Sequence, residues 1–211
     1  MENFFYKVND IDYEVVVTHK RIKNIHYRFI GGKFYVSCSR WTTKKRIIEG
    51  LDKHAYKMVK NAGEPALGED YIYLFGNKVN LHFPGILTIS DYEPIHYVDI
   101  PTLEKKLRPI ILDFITSRVR HYESLMSLPT YKVTIRKMKS RLGSNSKRTK
   151  TLNFSTILIH YSVPIIDSVV VHELAHIKEF NHSKKFYDVV YKYCPNYKEY
   201  RKDLLRGNYH D

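Results

Sequence analysis

Cysteine is scarce in this chain. Its two cysteines, Cys38 and Cys194, lie far apart and form no CxxC pair, which excludes a disulfide framework and fits a reducing compartment. No apolar run approaches the roughly 20 residues that a membrane-spanning helix needs, so no membrane association is expected. The opening segment, MENFFYKVNDIDYE, lacks the basic-then-apolar layout of a signal peptide. Together these absences predict a cytoplasmic protein. Internal repeats and low-complexity tracts are missing too. Apolar residues at 43% and charged residues at 27% describe a folded chain, and 211 residues suffice for one ordinary domain or two small ones.

Acidic residues are also in short supply, 22 against 35 Lys and Arg, a net charge of +13. Thr18 to Ile48 holds nine Lys/Arg without one Asp or Glu, and Tyr131 to Lys150 holds eight, again without an acid. Such windows attract nucleic acid or acidic surfaces. They also arise without a ligand, since the richness in Ile, Asn and Tyr fits AT-rich codon usage and lysines protect strand edges. Nucleic acid is therefore carried forward as one candidate partner.

The first half reads as short strands. DYEVVVTH and NIHYRFIGGKFYVSCS are rich in β-branched and aromatic residues, and Gly31-Gly32 marks a hairpin. Ile47, Ile48, Leu51, Ala55, Met58 and Val59 recur at helical spacing, with Thr42 or Thr43 as cap and Gly63 as terminator. YIYLFGNKVNLHF suggests a second hairpin about Gly76-Asn77, and the pattern lapses around Asp91–Pro101. Beyond it, Leu103 to Leu125 form an amphipathic helical pattern in which Pro109 should either kink the helix or open its main part. YKVTIRKM and TLNFSTILI read as strands separated by a basic loop. A mostly apolar helix follows, with Ser162 as cap before Pro164. Ser183 should cap one further helix, and Pro195 should open the last. The expected fold is α+β, with a β-rich N-terminal lobe over residues 1–100 and a second domain over 101–211.

That apolar helix carries the chemistry. VVVHELAHIKEFNH, Val169 to His182, contains three of the chain's eleven histidines. Residues i and i+4 lie on one helical face with Cβ atoms about 5–6 Å apart, so His172 and His176 can converge on one ion. Zinc suits them, with metal–nitrogen bonds of about 2.0–2.1 Å. Glu173, beside the first ligand, is placed to take the proton of a metal-activated water. A catalytic zinc site usually has three protein ligands and one open position. His182 is the favoured third, provided the chain leaves the helix and turns back, with Asn181 a candidate for left-handed geometry at that turn. Glu199 is the rival third ligand. A structural zinc site normally closes with four ligands, and a chance motif would bury His, Glu and His among apolar neighbours at a penalty. Both considerations favour catalysis. His160, Tyr161, Tyr187 and Tyr191 are further candidates for stabilising an oxyanion.

The region from Val169 to Leu205 resembles the YgjP-like metallopeptidase family, whose pattern couples HELxH to Asn-His-Ser, then a phenylalanine and an aromatic, then Cys-Pro-x-Tyr-Lys. Here these read HELAH, NHSKKFY and YCPNYKEYRKDLL. The N-terminal hairpin-and-helix segment and LFGNKVNL are similar to the family's as well. The resemblance implies a zincin-like metallopeptidase domain with an HExxH active-site helix, zinc on His172, His176 and His182, and Glu173 as catalytic carboxylate. Peptide or protein is the implied substrate. It also implies kinship with SprT-type proteases that act on DNA-bound proteins, which leaves two alternatives: a DNA-associated protease, and a non-catalytic zinc-bound module that binds nucleic acid. One departure stands out. Where the family has Trp-Gly-Ser-Cys-Ser, this chain has Leu142-Gly143-Ser144-Asn145-Ser146. The following strand, TLNFSTIL with Phe154, is expected to be the sheet edge that holds an extended substrate.

Overall fold

Alternating apolar residues turn most of the first forty positions into strands. The computed structural model describes residues 3–60, 65–138 and 141–210. Its chain divides into two compact units, residues 1–67 with 203–208, and residues 68–202 with 209–211. In the first unit, β1 (Phe4–Val8), β2 (Ile11–His19), β3 (His26–Ile30) and β4 (Lys33–Cys38) form one sheet in the order β1-β2-β4-β3. β2 and β4 run parallel, whereas β3 and β4 form the expected hairpin. Gly31 and Gly32 both adopt positive φ, +56° and +73°, the geometry that a two-residue turn of this hand demands. Helix α1 (Lys44–Lys60) buries Ile47, Leu51 and Ala55, one turn apart, in a common core with Val15, Phe34 and Val36. Its cap is Thr43 rather than Thr42: Thr43 Oγ1 accepts the Arg46 N–H at 3.4 Å. The expected terminator, Gly63, lies outside the described residues.

In the second unit, β5 (Tyr71–Leu74) and β6 (Asn77–Asn80) form the second hairpin. Its turn is Phe75-Gly76, one residue earlier than the sequence suggests, because Leu74 pairs with Asn77. The turn's Phe75 N–H bonds the Ile159 carbonyl at 2.7 Å, which ties this hairpin to the second unit. Both strands of this hairpin thus lie in the second compact unit, which begins at residue 68. The apparent lapse near Asp91–Pro101 contains a strand: β7 (Gly85–Leu87) pairs with β8 (Ile95–Tyr97), each too short to show a period.

Helix α2 (Ile100–Leu125) runs through Pro109 as one continuous helix. The first-turn proline is Pro101 instead, after the cap Asp99, whose carboxylate accepts the Thr102 N–H at 2.8 Å. The apolar face of α2 buries Leu103, Leu107, Ile110, Ile111, Ile115 and Val119. Near its end, buried Glu123 accepts the Tyr131 N–H at 2.8 Å and pairs with Arg120, fixing the entry to the next strand. β9 (Lys132–Arg136), β10 (Gly143–Ser146) and β11 (Thr151–Ser155) form a sheet in the order β10-β11-β9, with β11 parallel to β9 and antiparallel to β10. This corrects the edge assignment: β11 is the central strand and Phe154 is fully buried. The edges are β9 and β10, and β10 lies in the segment expected to be a loop. TLNFSTILI also stops being a strand after Ser155 and becomes a 3₁₀ turn, Thr156–His160.

Helix α3 (Val163–Lys178) then buries Ile165, Ile166, Val169, Val170, Val171, Leu174 and Ala175 on several sides, as a core helix does. Ser162 occupies its cap position, and its carbonyl accepts the Ile166 N–H at 3.0 Å. Asp167, a buried acid on α3, receives both Arg118 guanidinium contacts (2.7 and 2.5 Å) and the Tyr122 hydroxyl (3.1 Å) from α2. The helix is thereby held in register. Helices α4 (Lys184–Tyr193) and α5 (Tyr197–Arg206) follow, and Ser183 Oγ caps α4 through the Phe186 N–H at 3.4 Å, as expected. Among the described residues no helix is long and apolar enough to cross a membrane.

His160 gives this unit a pH dependence. Its Nδ1–H donates to the Tyr73 carbonyl at 2.8 Å, and burial pushes the ring below its ordinary range despite that bond. The folded ring stays neutral where an unfolded histidine, titrating near about pH 6.5, takes up a proton. Its contribution to stability is fully present above about pH 6.5 and is lost as pH falls below that value. Denaturant midpoints of the parent and of His160→Asn, followed across this range, should shift against the parent on acidification. A constant difference would mean that His160 titrates alike in both states.

Candidate metal centre

A helix that places imidazoles at i and i+4 needs only one further ligand from outside its own cylinder. α3 supplies His172 and His176, with ring centroids 4.9 Å apart. Directly after it the chain turns extended: Glu179 has φ −127° and ψ 106°, and its N–H bonds the Ala175 carbonyl at 2.9 Å. The Ser183 N–H then bonds the Asn181 carbonyl at 2.7 Å, a tight reversal that returns His182 towards the helix. Asn181 is not among the residues at positive φ, so the expected left-handed residue is not what makes this turn. An extended residue at position 179 followed by a tight turn does the same work, and no glycine is required.

The three rings meet. Their ligand nitrogens lie within 4.8 Å of one another, and His172 Nε2 stands 3.3 Å from His182 Nε2. Two nitrogens about 2.0–2.1 Å from one ion at a tetrahedral angle would be about 3.3 Å apart, so the donor set fits a tetrahedral cation. Glu199, the rival ligand, is exposed in the first turn of α5 and outside this group. Phe186 is fully buried beneath all three rings, with centroids 4.6–5.0 Å from theirs. It forms an apolar floor on which they stand.

Hydrogen bonds set the ring orientation. The Tyr197 hydroxyl lies 2.7 Å from His172 Nδ1, and the Glu179 carbonyl lies 3.4 Å from His176 Nδ1. With Nδ1–H donating in each case, Nε2 carries the lone pair that a metal requires. The two rings on α3 are also kept unprotonated. Burial, followed by the neighbouring His176 and His182, lowers His172 to about 3, and burial followed by His182 lowers His176. Tyr197 is therefore a site residue that sequence reasoning missed as such, although it lies within the Cys-Pro-x-Tyr-Lys motif. Tyr197→Phe should weaken zinc affinity about 10–100-fold with an unchanged circular dichroism spectrum. Competition against a chromogenic chelator measures this, and parental affinity in the variant would remove the hydroxyl from the site.

Glu173 occupies a second, drier wall. It is buried, and burial raises its carboxyl to about 7, with Arg141 acting in the opposite direction. β10 closes over it. A Cβ placed on Gly143 would come within 2.6 Å of both Glu173 Cγ and Oε1. Two residues on, Asn145 Nδ2 donates to the Glu173 backbone carbonyl at 2.9 Å. The segment that departs from the expected Trp-Gly-Ser-Cys-Ser pattern thus lies directly against the carboxylate, and its glycine is the residue that makes room for it.

The remaining candidates separate. Tyr187 lies beside His182 at 6.3 Å between ring centroids, and Tyr191 beside Tyr187. His160 and Tyr161 instead pack with Tyr209, and Tyr161 is fully buried.

A family model described as "YgjP-like, metallopeptidase domain" matches residues 93–206, more than half of the chain. Among solved structures, the chain is similar to the metallopeptidase zymogen abylysin of Pyrococcus abyssi, with 22% identity, 46% of this chain and 97% of that one covered, and a TM-score of 0.42. It is likewise similar to the metallopeptidase zymogen jannalysin of Methanocaldococcus jannaschii, with 23% identity, 44% and 95% covered, and a TM-score of 0.41. No curated protein matches it.

Proposed function

The chain belongs to the YgjP-like metallopeptidase family, and from that premise we propose that it hydrolyses peptide bonds with a zinc ion held by His172, His176 and His182 and with Glu173 as general base. The observation that carries this reading is the 3.3 Å approach of the His172 and His182 imidazole nitrogens, where the residue after His172 on the helix, Glu173, is a buried carboxylate. Two histidines on a core helix and a third on a tight turn would hold the ion with three protein ligands, the number usual in catalytic zinc sites.

A zinc ion there supplies Lewis acidity, bringing the pKa of a coordinated water to about 7 and polarising the scissile carbonyl. The protein's own groups do the rest. Glu173 accepts the proton of the attacking water and returns it to the departing amine. Its burial favours the protonated form and Arg141 the ionised form, and a bound dication would add to the second. Tyr197 and the Glu179 carbonyl hold the ligand rings in their tautomers. β10, the sheet edge beside Glu173, is the strand against which an extended peptide would align, the role the sequence suggested for β11.

The test combines metal content with hydrolysis of a quenched-fluorescence peptide library. Parental protein reconstituted with zinc should cleave, and a chelator should stop it. His182→Ala should lose both metal and cleavage, while Glu199→Ala should retain both. Cleavage that survives complete removal of metal would overturn the proposal.

A further inference from the structure

We propose that the first compact unit carries a docking surface for single-stranded nucleic acid, centred on Trp41. β2 and β4 are parallel neighbours with His19 paired to Cys38, so both finish at the same end of the sheet. The chain leaving β2 supplies Lys20, Arg21 and Lys23, and the chain leaving β4 supplies Arg40 and Trp41. One backbone bond joins the two loops, Lys20 N–H to the Cys38 carbonyl at 2.8 Å, and His19 Nδ1 lies 3.3 Å from the Ser39 carbonyl, while Thr42 N–H turns the second loop back on its own Ser39 carbonyl at 3.0 Å. The first turn of α1 then adds Lys44 and Lys45 and contains no acid.

These cations are all exposed, and no ion pair among the described residues ties one of them to a carboxylate. Acids of the same sheet sit towards its other end, at Asp10, Asp12 and the Glu14–Lys33 pair. Charge is thus segregated along the sheet, whereas a merely solubilising surface intersperses both signs. The second basic window differs: Lys137 faces Glu104 at 3.8 Å, and β10 beside Glu173 takes up part of the rest.

An indole sits among these cations. Trp41, the chain's sole tryptophan, is 81% exposed, with the Arg40 guanidinium 5.2 Å from its ring centroid. A large apolar ring left in water among unneutralised cations matches the two parts of a single-strand platform: cations that track phosphates, and an aromatic face on which a base stacks. A duplex keeps its base faces inside its own stack, and an acidic peptide has no use for the ring. An anionic membrane would favour a broader apolar face than one indole.

Because Trp41 is the only tryptophan, intrinsic fluorescence of the full-length protein reads the contact directly, independently of metal and of peptide hydrolysis. Titration with an oligothymidylate of about 20 nucleotides should quench it, with affinity falling steeply as salt rises. Trp41→Ala should weaken binding at least about ten-fold, read by anisotropy of a labelled oligonucleotide, while Trp41→Phe retains it. Arg21→Ala and Lys45→Ala should each lower the log–log salt slope by about 0.7. An unquenched indole, parental binding by Trp41→Ala, or polyglutamate or phosphatidylglycerol vesicles binding as tightly as the oligonucleotide would overturn the proposal.

Discussion

Replacing Glu173 with glutamine should lower kcat for peptide hydrolysis about 10²–10⁴-fold and leave zinc content and zinc affinity at parental levels. The amide keeps the shape of the side chain in its buried position but can no longer accept the proton of the attacking water. None of the three imidazoles depends on it, since their orientation comes from Tyr197, Glu179 and the Phe186 floor. Single-turnover hydrolysis together with metal analysis by mass spectrometry separates the two effects. A variant that keeps its metal and still turns over at the parental rate would remove Glu173 as the base.

A methyl group at position 143 should be nearly as damaging, although that residue has no functional group of its own. Its Cβ would stand 2.6 Å from Glu173 Cγ and Oε1, closer than unbonded atoms approach, so the carboxylate must swing away or β10 must lift. An ångström of misplacement at a reacting group lowers the rate about 10²-fold. Gly143→Ala should therefore show a kcat reduced by about that factor, with metal content unchanged. Asn145→Ala, which gives up the bond to the Glu173 carbonyl without crowding the site, should be milder. Parental kcat in Gly143→Ala would mean that β10 does not constrain the base.

The centre of this site is legible in the sequence because helix geometry is periodic. The spacing of His172 and His176 within an apolar run already gives a buried helix with two rings on one face. His182 follows from the need for a third ligand close by. What surrounds the centre is less legible, for physical reasons. Gly-Ser-Asn-Ser has no alternation of apolar and polar residues, and it becomes a strand because β11 offers it a ladder. Tyr197 reaches His172 across 25 positions through the packing of α3, α4 and α5, which no local spacing encodes. The turn before His182 looked like a position for a residue tolerant of positive φ, yet an extended Glu179 suffices. The N-terminal hairpin was predictable for the opposite reason: Gly31-Gly32 is a local signal that tertiary structure leaves in place.

The enclosure of α3 has a consequence for how the centre is assembled. Two of its histidines ride on a segment anchored by a dense apolar interior and by the Arg118–Asp167–Tyr122 cluster, so their spacing belongs to the scaffold and precedes any cation. His182, the exposed member, stands on the turn at the rim. An incoming ion would then meet three imidazoles that already stand together, two on the scaffold and one at the rim. A chelated chain should therefore keep its cooperative melt, unlike small zinc modules that collapse when stripped.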